Sequence, residues 1–265
     1  SGAKGAGNIT ELAPQELALA VTNSGLDGYV TGALIFVDKD GDGLLDAGEA
    51  NTLTDAVGSF SLPSNGAMVM RGGMDVSTGL EFQSQYEAPE GYRVINPVTT
   101  LIREYQQLGV NVSVDAAETW AEGVLGLPVN FSFKTYEPFR VATQDDVAGT
   151  ASNFNAVAAQ RLEAITYQKV AAQLSNLMDV GSAFLQALVA PTENNAETAL
   201  AMRQSFSIEI VKYFANYAGT NLAGELASNE EIEGALNSAL TSAQKDALTD
   251  AQLSALVKVA TTLSF

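Results

Sequence analysis

The stretch Asp38-Lys39-Asp40-Gly41-Asp42-Gly43-Leu44-Leu45-Asp46-Ala47-Gly48-Glu49 sets carboxylates at alternate positions and closes on a glutamate. Calcium takes about 6–8 hard oxygen ligands, and a loop of this length supplies them from side chains at its first, third, fifth, ninth and last positions plus the carbonyl at the seventh. The residues in those places are Asp38, Asp40, Asp42, Asp46, Glu49 and the carbonyl of Leu44. Gly43 occupies the sixth position, where the sharp turn disfavours a Cβ. Asp and Gly are also ordinary turn residues, so a solvated acidic turn is the competing reading. Every position of the metal pattern being filled in register favours calcium as the cofactor.

The flanks of the loop decide the fold class. Tyr29-Val30-Thr31-Gly32-Ala33-Leu34-Ile35-Phe36-Val37 is β-branched and aromatic with apolar residues on both faces, the pattern of an interior strand. After Glu49 come Asp55, Gly58 and Pro63, which leave no room for a two-turn amphipathic helix. A helix–loop–helix calcium sensor is therefore not expected. Turns at Asn23-Ser24-Gly25 and Asp27-Gly28 launch the strand, and further strands are expected at Phe60–Leu62, Ala67–Arg71 and Leu80–Phe82. Residues 25–95 read as a small β-sandwich. Residues 1–24, where Glu16–Val21 fits either a short helix or an edge strand, remain unassigned.

At Asn96-Pro97 the hydrophobic period changes from 2 to 3.6. Asn96 can cap a helix whose first residue is Pro97, with Val98, Leu101, Ile102, Tyr105 and Leu108 at helical spacing and Gly109 at its end. A second helix opens at Ser113 or Asp115, carries Trp120 and Val124 inward and stops at Gly126. A long Ala-rich helix over Phe154–Val180 should bury Leu162, Ile165, Val170, Leu174 and Leu177. Pro191 breaks it, Asn194 with Glu197 opens the next, and Ala199, Met202, Phe206, Ile210, Tyr213 and Tyr217 form its stripe. Ser228 with Glu231 and Thr249 with Gln252 open two more, the last burying Leu253, Leu256, Val257, Ala260 and Leu263. Residues 96–265 are thus expected to form an all-α bundle, and the whole chain an α+β protein. Between its helices, Phe131, Phe133, Tyr136 and Phe139 either line a ligand groove for a peptide or glycan or pack as an aromatic connection over the bundle.

Composition narrows the function classes. Thirteen basic against thirty-one acidic residues give a net charge of −18, which repels phosphate backbones and anionic headgroups, so nucleic acid is not an expected partner. Zero cysteine and zero histidine remove thiol chemistry, disulfides, the commonest general base and the usual zinc ligand, and an enzyme is not expected. A carboxylate pair such as Asp75 with Glu81 has no spacing that separates it from surface charge. No apolar run approaches the roughly 18–20 residues of a membrane span, so membrane insertion is not expected. Ser1-Gly2 reads as a cloning remnant, and the sequence as an excised module, monomeric by itself. A loop tuned for extracellular calcium binds at about 10⁻⁴–10⁻³ M and would stay empty in cytosol, which points to an extracellular setting.

The segment from Gly32 to Phe36 followed by Asp38, Asp40, Asp42, Asp46 and Glu49, and then Thr54-Asp55 with Gly58-Ser59-Phe60, resembles the collagen-adhesin B-type and serine-aspartate-repeat B modules of bacterial surface proteins. Gly72-Gly73-Met74-Asp75-Val76-Ser77-Thr78-Gly79, Ala88-Pro89-Glu90-Gly91 and Asn96-Pro97-Val98-Thr99-Thr100-Leu101 are similar to segments of large secreted RTX-type adhesins, in which a helical region follows such a sandwich. The lysine–asparagine isopeptide pairing used by some B-type modules has no counterpart in these residues. The resemblance implies a calcium-stabilised scaffold or extender module on the bacterial cell surface, with neighbouring adhesin domains as its partners.

Overall fold

The structure, a computed structural model, describes residues 18–20, 29–138, 151–189 and 196–262. The fold is α+β, with sheets in the N-terminal part and helices in the C-terminal part. Its centre is a four-stranded antiparallel sheet in which β3 (Leu34–Asp38) lies between β4 (Asn51–Leu53) and β6 (Ala67–Arg71), and β8 (Gln85–Ala88) pairs with the far edge of β6. Phe36 stands opposite Asn51 on one side and Val69 on the other, and Val69 opposite Glu87. As the continuous apolar run demands, Ile35, Phe36 and Val37 are all buried. The Tyr29–Val37 segment is not one strand. It breaks at Gly32, whose φ of +67° belongs to the left-handed region, and its first part, β2 (Val30–Thr31), pairs with β7 (Met74–Asp75). Thr54 bridges the break, donating to the Val30 carbonyl at 2.6 Å and accepting from the Ala33 amide at 2.9 Å. A third sheet joins β1 (Ala18–Ala20) antiparallel to β5 (Ser59–Phe60) and parallel to β9 (Val94–Ile95). Of the two readings open for Glu16–Val21, a strand is adopted over residues 18–20.

Two short elements depart from expectation. Leu80–Phe82 contributes an isolated bridge from Glu81 to Met74 and no longer strand. The Gln-Tyr-Glu-Ala run of β8 alternates polar and apolar residues over only four positions, and all four are buried, Gln85 and Glu87 included. The outer edge of β8 is satisfied by a helix. The Thr100 hydroxyl accepts from the Glu87 amide at 2.9 Å, and the Thr99 hydroxyl donates to the Glu87 carbonyl at 2.7 Å. These threonines stand in the first turn of α1 (Pro97–Leu108), so the helix start covers a strand edge that would otherwise present unpaired groups.

Asn96 is the hub of that junction. Its Oδ1 accepts from the amides of Val98 and Thr99 at 2.9 and 3.0 Å, and its Nδ2 donates to the hydroxyl of Tyr167 at 2.9 Å. Tyr167 belongs to α3 (Ala151–Val189), so one capping residue ties sheet, first helix and longest helix together. The α2 helix (Val114–Leu125) runs from Ser113 to a left-handed cap at Gly126. Trp120 anchors it, stacked on Tyr105 at 4.2 Å and donating from Nε1 to the Tyr217 carbonyl at 2.8 Å. The remaining helices are α4 (Ala196–Ala215), α5 (Leu222–Glu225), α6 (Asn229–Ala239), α7 (Ser242–Ala247) and α8 (Asp250–Thr262). Helix α7 carries a Thr241–Gln244 capping box that the apolar pattern does not announce. Pro191, Asn194 and Leu263 lie outside the described residues.

Helix α3 buries Val170, Leu174 and Leu177 of the expected stripe and departs from it at Leu162 and Ile165. Leu162 and Ile165 are 65% and 57% exposed, whereas Ala164, Tyr167, Ala171, Leu174 and Met178 are buried. Small residues fill this seam because α4 comes close: a Cβ on Gly181 would stand 2.6 Å from the Phe206 ring. A single buried apolar cluster runs from Val30 in β2 through α1 and α3 to Ala260 in α8. Both α1 and α4 pack on β8, which brings the strand-borne loop beside the helices.

Candidate metal site

The loop after β3 is folded by its own carboxylates. Asp38 is only 4% exposed, and its two oxygens accept from the amides of Gly41 at 2.8 Å and Gly43 at 3.0 Å. Asp40 accepts from the Asp42 amide at 3.3 Å and Asp42 from the Leu44 amide at 2.7 Å. Glu49 closes the circuit, one oxygen taking the Lys39 amide at 2.7 Å and the other the Asp46 amide at 2.9 Å. Alternating Asp and Gly make this geometry available, since Gly41 and Gly43 adopt φ of +81° and +74°. The left-handed turns aim amides inward at the carboxylates.

Carboxylate oxygens of Asp38, Asp40 and Asp42 lie within 4.8 Å of one another. Those of Asp46 and Glu49 stand outside this close group, and Leu44, whose carbonyl is the expected backbone donor, has an exposed side chain. The donors that converge are all hard oxygens, which suit calcium or magnesium and no thiolate- or imidazole-seeking metal. Their electrostatics are those of an uncompensated anionic site. Burial raises the Asp38 pKa, opposed by the Gly41 and Gly43 amides, and Glu49 raises it further. Asp46 is raised chiefly by Asp42. A divalent cation would relieve both. One positive group is near: a Cβ on Gly41 would lie 3.7 Å from Nη2 of Arg103 on α1, and that guanidinium favours ionised Asp38.

Three of the four aromatic residues cluster around Tyr167. Phe131 packs edge-on to Phe133 and Tyr136 at 4.8 and 4.4 Å, and all three surround Tyr167. Phe133 is fully buried, and burial pushes the Tyr136 hydroxyl up to about 12. The segment is held by Glu122, which accepts from the Phe131 amide at 2.8 Å. Phe139 lies outside the described residues.

A second polar site escaped the sequence pattern. Behind the loop, a cleft of about 290 Å³ is lined by Asp42, Gln85, Glu87, Glu104, Gln204 and Lys212, among others. Glu104 follows Leu101 by three residues and so borders the apolar stripe of α1, the one local hint that it is buried. Nothing local marks Glu87 or Gln204. No protein-family profile, curated protein or solved structure matches the chain. Among the described residues, no helix is long and apolar enough to cross a membrane.

Proposed function

We propose that the chain is a non-catalytic, calcium-stabilised scaffold module of a secreted bacterial cell-surface adhesin, serving attachment of the biofilm type from an extracellular position beside further adhesin domains. The observation that carries the reading is the convergence of the Asp38, Asp40 and Asp42 carboxylates in a loop whose backbone is already folded around them. A site so prepared costs little to order on binding. Calcium held there pins the end of the central strand β3 to the start of β4, and through Arg103 it bears on α1. Its role is to stiffen the junction of sheet and helices, as an extender in a tandem array requires. Binding to the folded state alone adds about 1.4 kcal/mol at ten times the dissociation constant. Thermal unfolding in calcium and in chelator tests this: calcium should raise the Tm by roughly 3–6 °C, and Asp38→Ala should remove the difference. Equal melts for the unaltered chain would refute it.

A second reading, a ligand-binding module for a peptide or glycan, is favoured by the polar cleft behind the loop rather than by the aromatic residues. An array of peptides and glycans separates the two, since a scaffold gives no specific hit.

A further inference from the structure

The cleft between the loop, β8, α1 and α4 holds side chains that the fold leaves unsatisfied. Glu104 is 1% exposed, and its Oε2 has no hydrogen-bond partner; Gln204 is 9% exposed, and its Nε2 has none. Both line the same cleft. Buried polar atoms are nearly always paired, and an orphan on a side chain that lines a cavity marks a place where a turn of that side chain can offer it to a ligand. The charge states which kind. Asp42, Glu87, Glu104 and Glu209 face the cleft against one ammonium, Lys212, and that ammonium is held on Glu209 at 2.9 Å.

A cation is the partner that would draw off the proton burial otherwise holds on Glu104, so its binding should tighten as pH rises toward about 8, and the geometry disfavours a bare ion. Asp38, Asp40 and Asp42 are the only acidic trio among the described residues with oxygens within 4.8 Å of one another, so the cleft carboxylates do not converge as metal ligands do. The cleft is also far larger than an ion. Its acceptors sit on separate elements, Glu87 on β8 and Glu104 on α1, which suits donors that radiate from one nitrogen better than the planar fork of a guanidinium. The orphan Nε2 of Gln204 asks in addition for an acceptor on the ligand.

We propose that this cleft binds a primary alkylammonium group, with N–H donors to Glu104 and Glu87 and a neighbouring ligand oxygen accepting from Gln204. The ammonium comes either from a free small amine or from the lysine side chain of a peptide. This goes beyond the scaffold reading and does not rest on calcium, so both conditions, calcium and chelator, enter the test.

The whole chain is titrated with ethanolamine, with N-acetyl-lysine methylamide and with the Nζ-acetylated form of the latter, followed by amide shifts in NMR and by calorimetry. Saturable binding of at least one of the two amines, with shifts at Glu87, Glu104 and Gln204, is expected. Preference for ethanolamine identifies a free amine, and preference for the lysine derivative a peptide. The acetylated form should bind about tenfold more weakly or worse, and Glu104→Gln should weaken the amines about as much. Glu209→Gln, at the exposed rim, should cost about two- to threefold and serves as the folded control should Glu104→Gln not fold. Absence of saturation by either amine up to about 10 mM, equal binding of the acetylated form, or indifference to both variants overturns the proposal.

Discussion

The loop and the cleft behind it are two acidic clusters separated by the thickness of one backbone. A Cβ on Gly43 would lie 3.3 Å from Nε2 of Gln85 in the cleft. They solve the same problem, crowded carboxylates in a chain of net charge −18, in opposite ways. In the loop the amides that satisfy Asp38, Asp40 and Asp42 come from within five residues, and Asp40 and Asp42 remain exposed. In the cleft, Glu87 and Glu104 are buried on different elements and Glu104 keeps an orphan oxygen. Burial raises the pKa in both places, but at Asp38 local amides oppose it, whereas at Glu104 no hydrogen bond does and the neighbouring Glu87 adds to it.

The largest expected effect tests that statement. Burial, with Glu87 adding to it, raises the Glu104 pKa from the usual 4.5 to about 8. Between those values the folded chain binds more protons than the unfolded chain, so stability is full at low pH and falls as pH rises. The slope from this group approaches about 1.4 kcal/mol per pH unit, and Glu87, raised in the same direction by burial, acts with the same sign. Urea unfolding from pH 5 to 8 should show a decline that Glu104→Gln reduces by about 2–4 kcal/mol across the range. An identical decline in the variant would mean that the chain's overall charge sets the slope and that the two clusters do not differ.

Within the loop the largest effect belongs to Asp38. Asp38→Ala leaves the Gly41 and Gly43 amides without acceptors and should cost about 1–3 kcal/mol in chelator, before any loss of calcium. Asp40→Ala gives up one 3.3 Å bond at an exposed position and should cost about 0.5 kcal/mol or less. Chemical denaturation of both variants in chelator measures the contrast. Equal costs would show that the loop fold does not depend on its buried first carboxylate.

This contrast also explains what the sequence made legible. Carboxylates at alternate positions and Gly43 at a positive φ are local facts, so the turns of the loop and the approach of Asp38, Asp40 and Asp42 were legible, as were the Asn96-Pro97 helix start and the apolar β3, whereas Asp46 and Glu49 stand outside that close group. Strand β8 was not legible, because Gln85, Tyr86 and Glu87 are buried by partners far along the chain: the Thr99 and Thr100 hydroxyls and Ser175, which shares a 2.7 Å hydrogen bond with Tyr86. Helix α3 follows its expected stripe at Val170, Leu174 and Leu177 but not at Leu162 and Ile165, and its close approach to α4, with Phe206 against Gly181, is likewise set by a partner distant in sequence. The cleft compounds both difficulties, joining the polar face of a four-residue strand to a glutamate at the margin of an apolar stripe.

Gly43→Ala probes the wall between the clusters. The substitution imposes a Cβ at φ +74° and presses it against Gln85, whose flexible carboxamide can yield. A loss of about 1–2 kcal/mol is expected, chiefly from the left-handed backbone. Disturbance of the cleft should be slight, so amide shifts in NMR should be confined to residues near 38–49. Shifts spreading to Glu104 and Gln204 would show instead that the two sites move as one.

The smallest effect on stability should come from Lys212→Met, yet it bears directly on why the cleft is acidic. The Lys212–Glu209 pair spans one helical turn with side chains 38% and 44% exposed, and such pairs contribute about 0.2–0.5 kcal/mol. Lys212 is nevertheless the only cation among the described residues lining the cleft, and its charge favours ionised Glu104. Methionine keeps the length of the aliphatic stem and removes the charge. Glu104 should then hold its proton to higher pH, read by the carbon shift of its carboxyl group across a titration, while the denaturation midpoint hardly moves. If the titration also stays where it was, solvent already screens Lys212, and burial with Glu87, opposed by Arg103, sets the acidity of the cleft. The contrast with the loop would then be chiefly one of solvation, with no part played by Lys212.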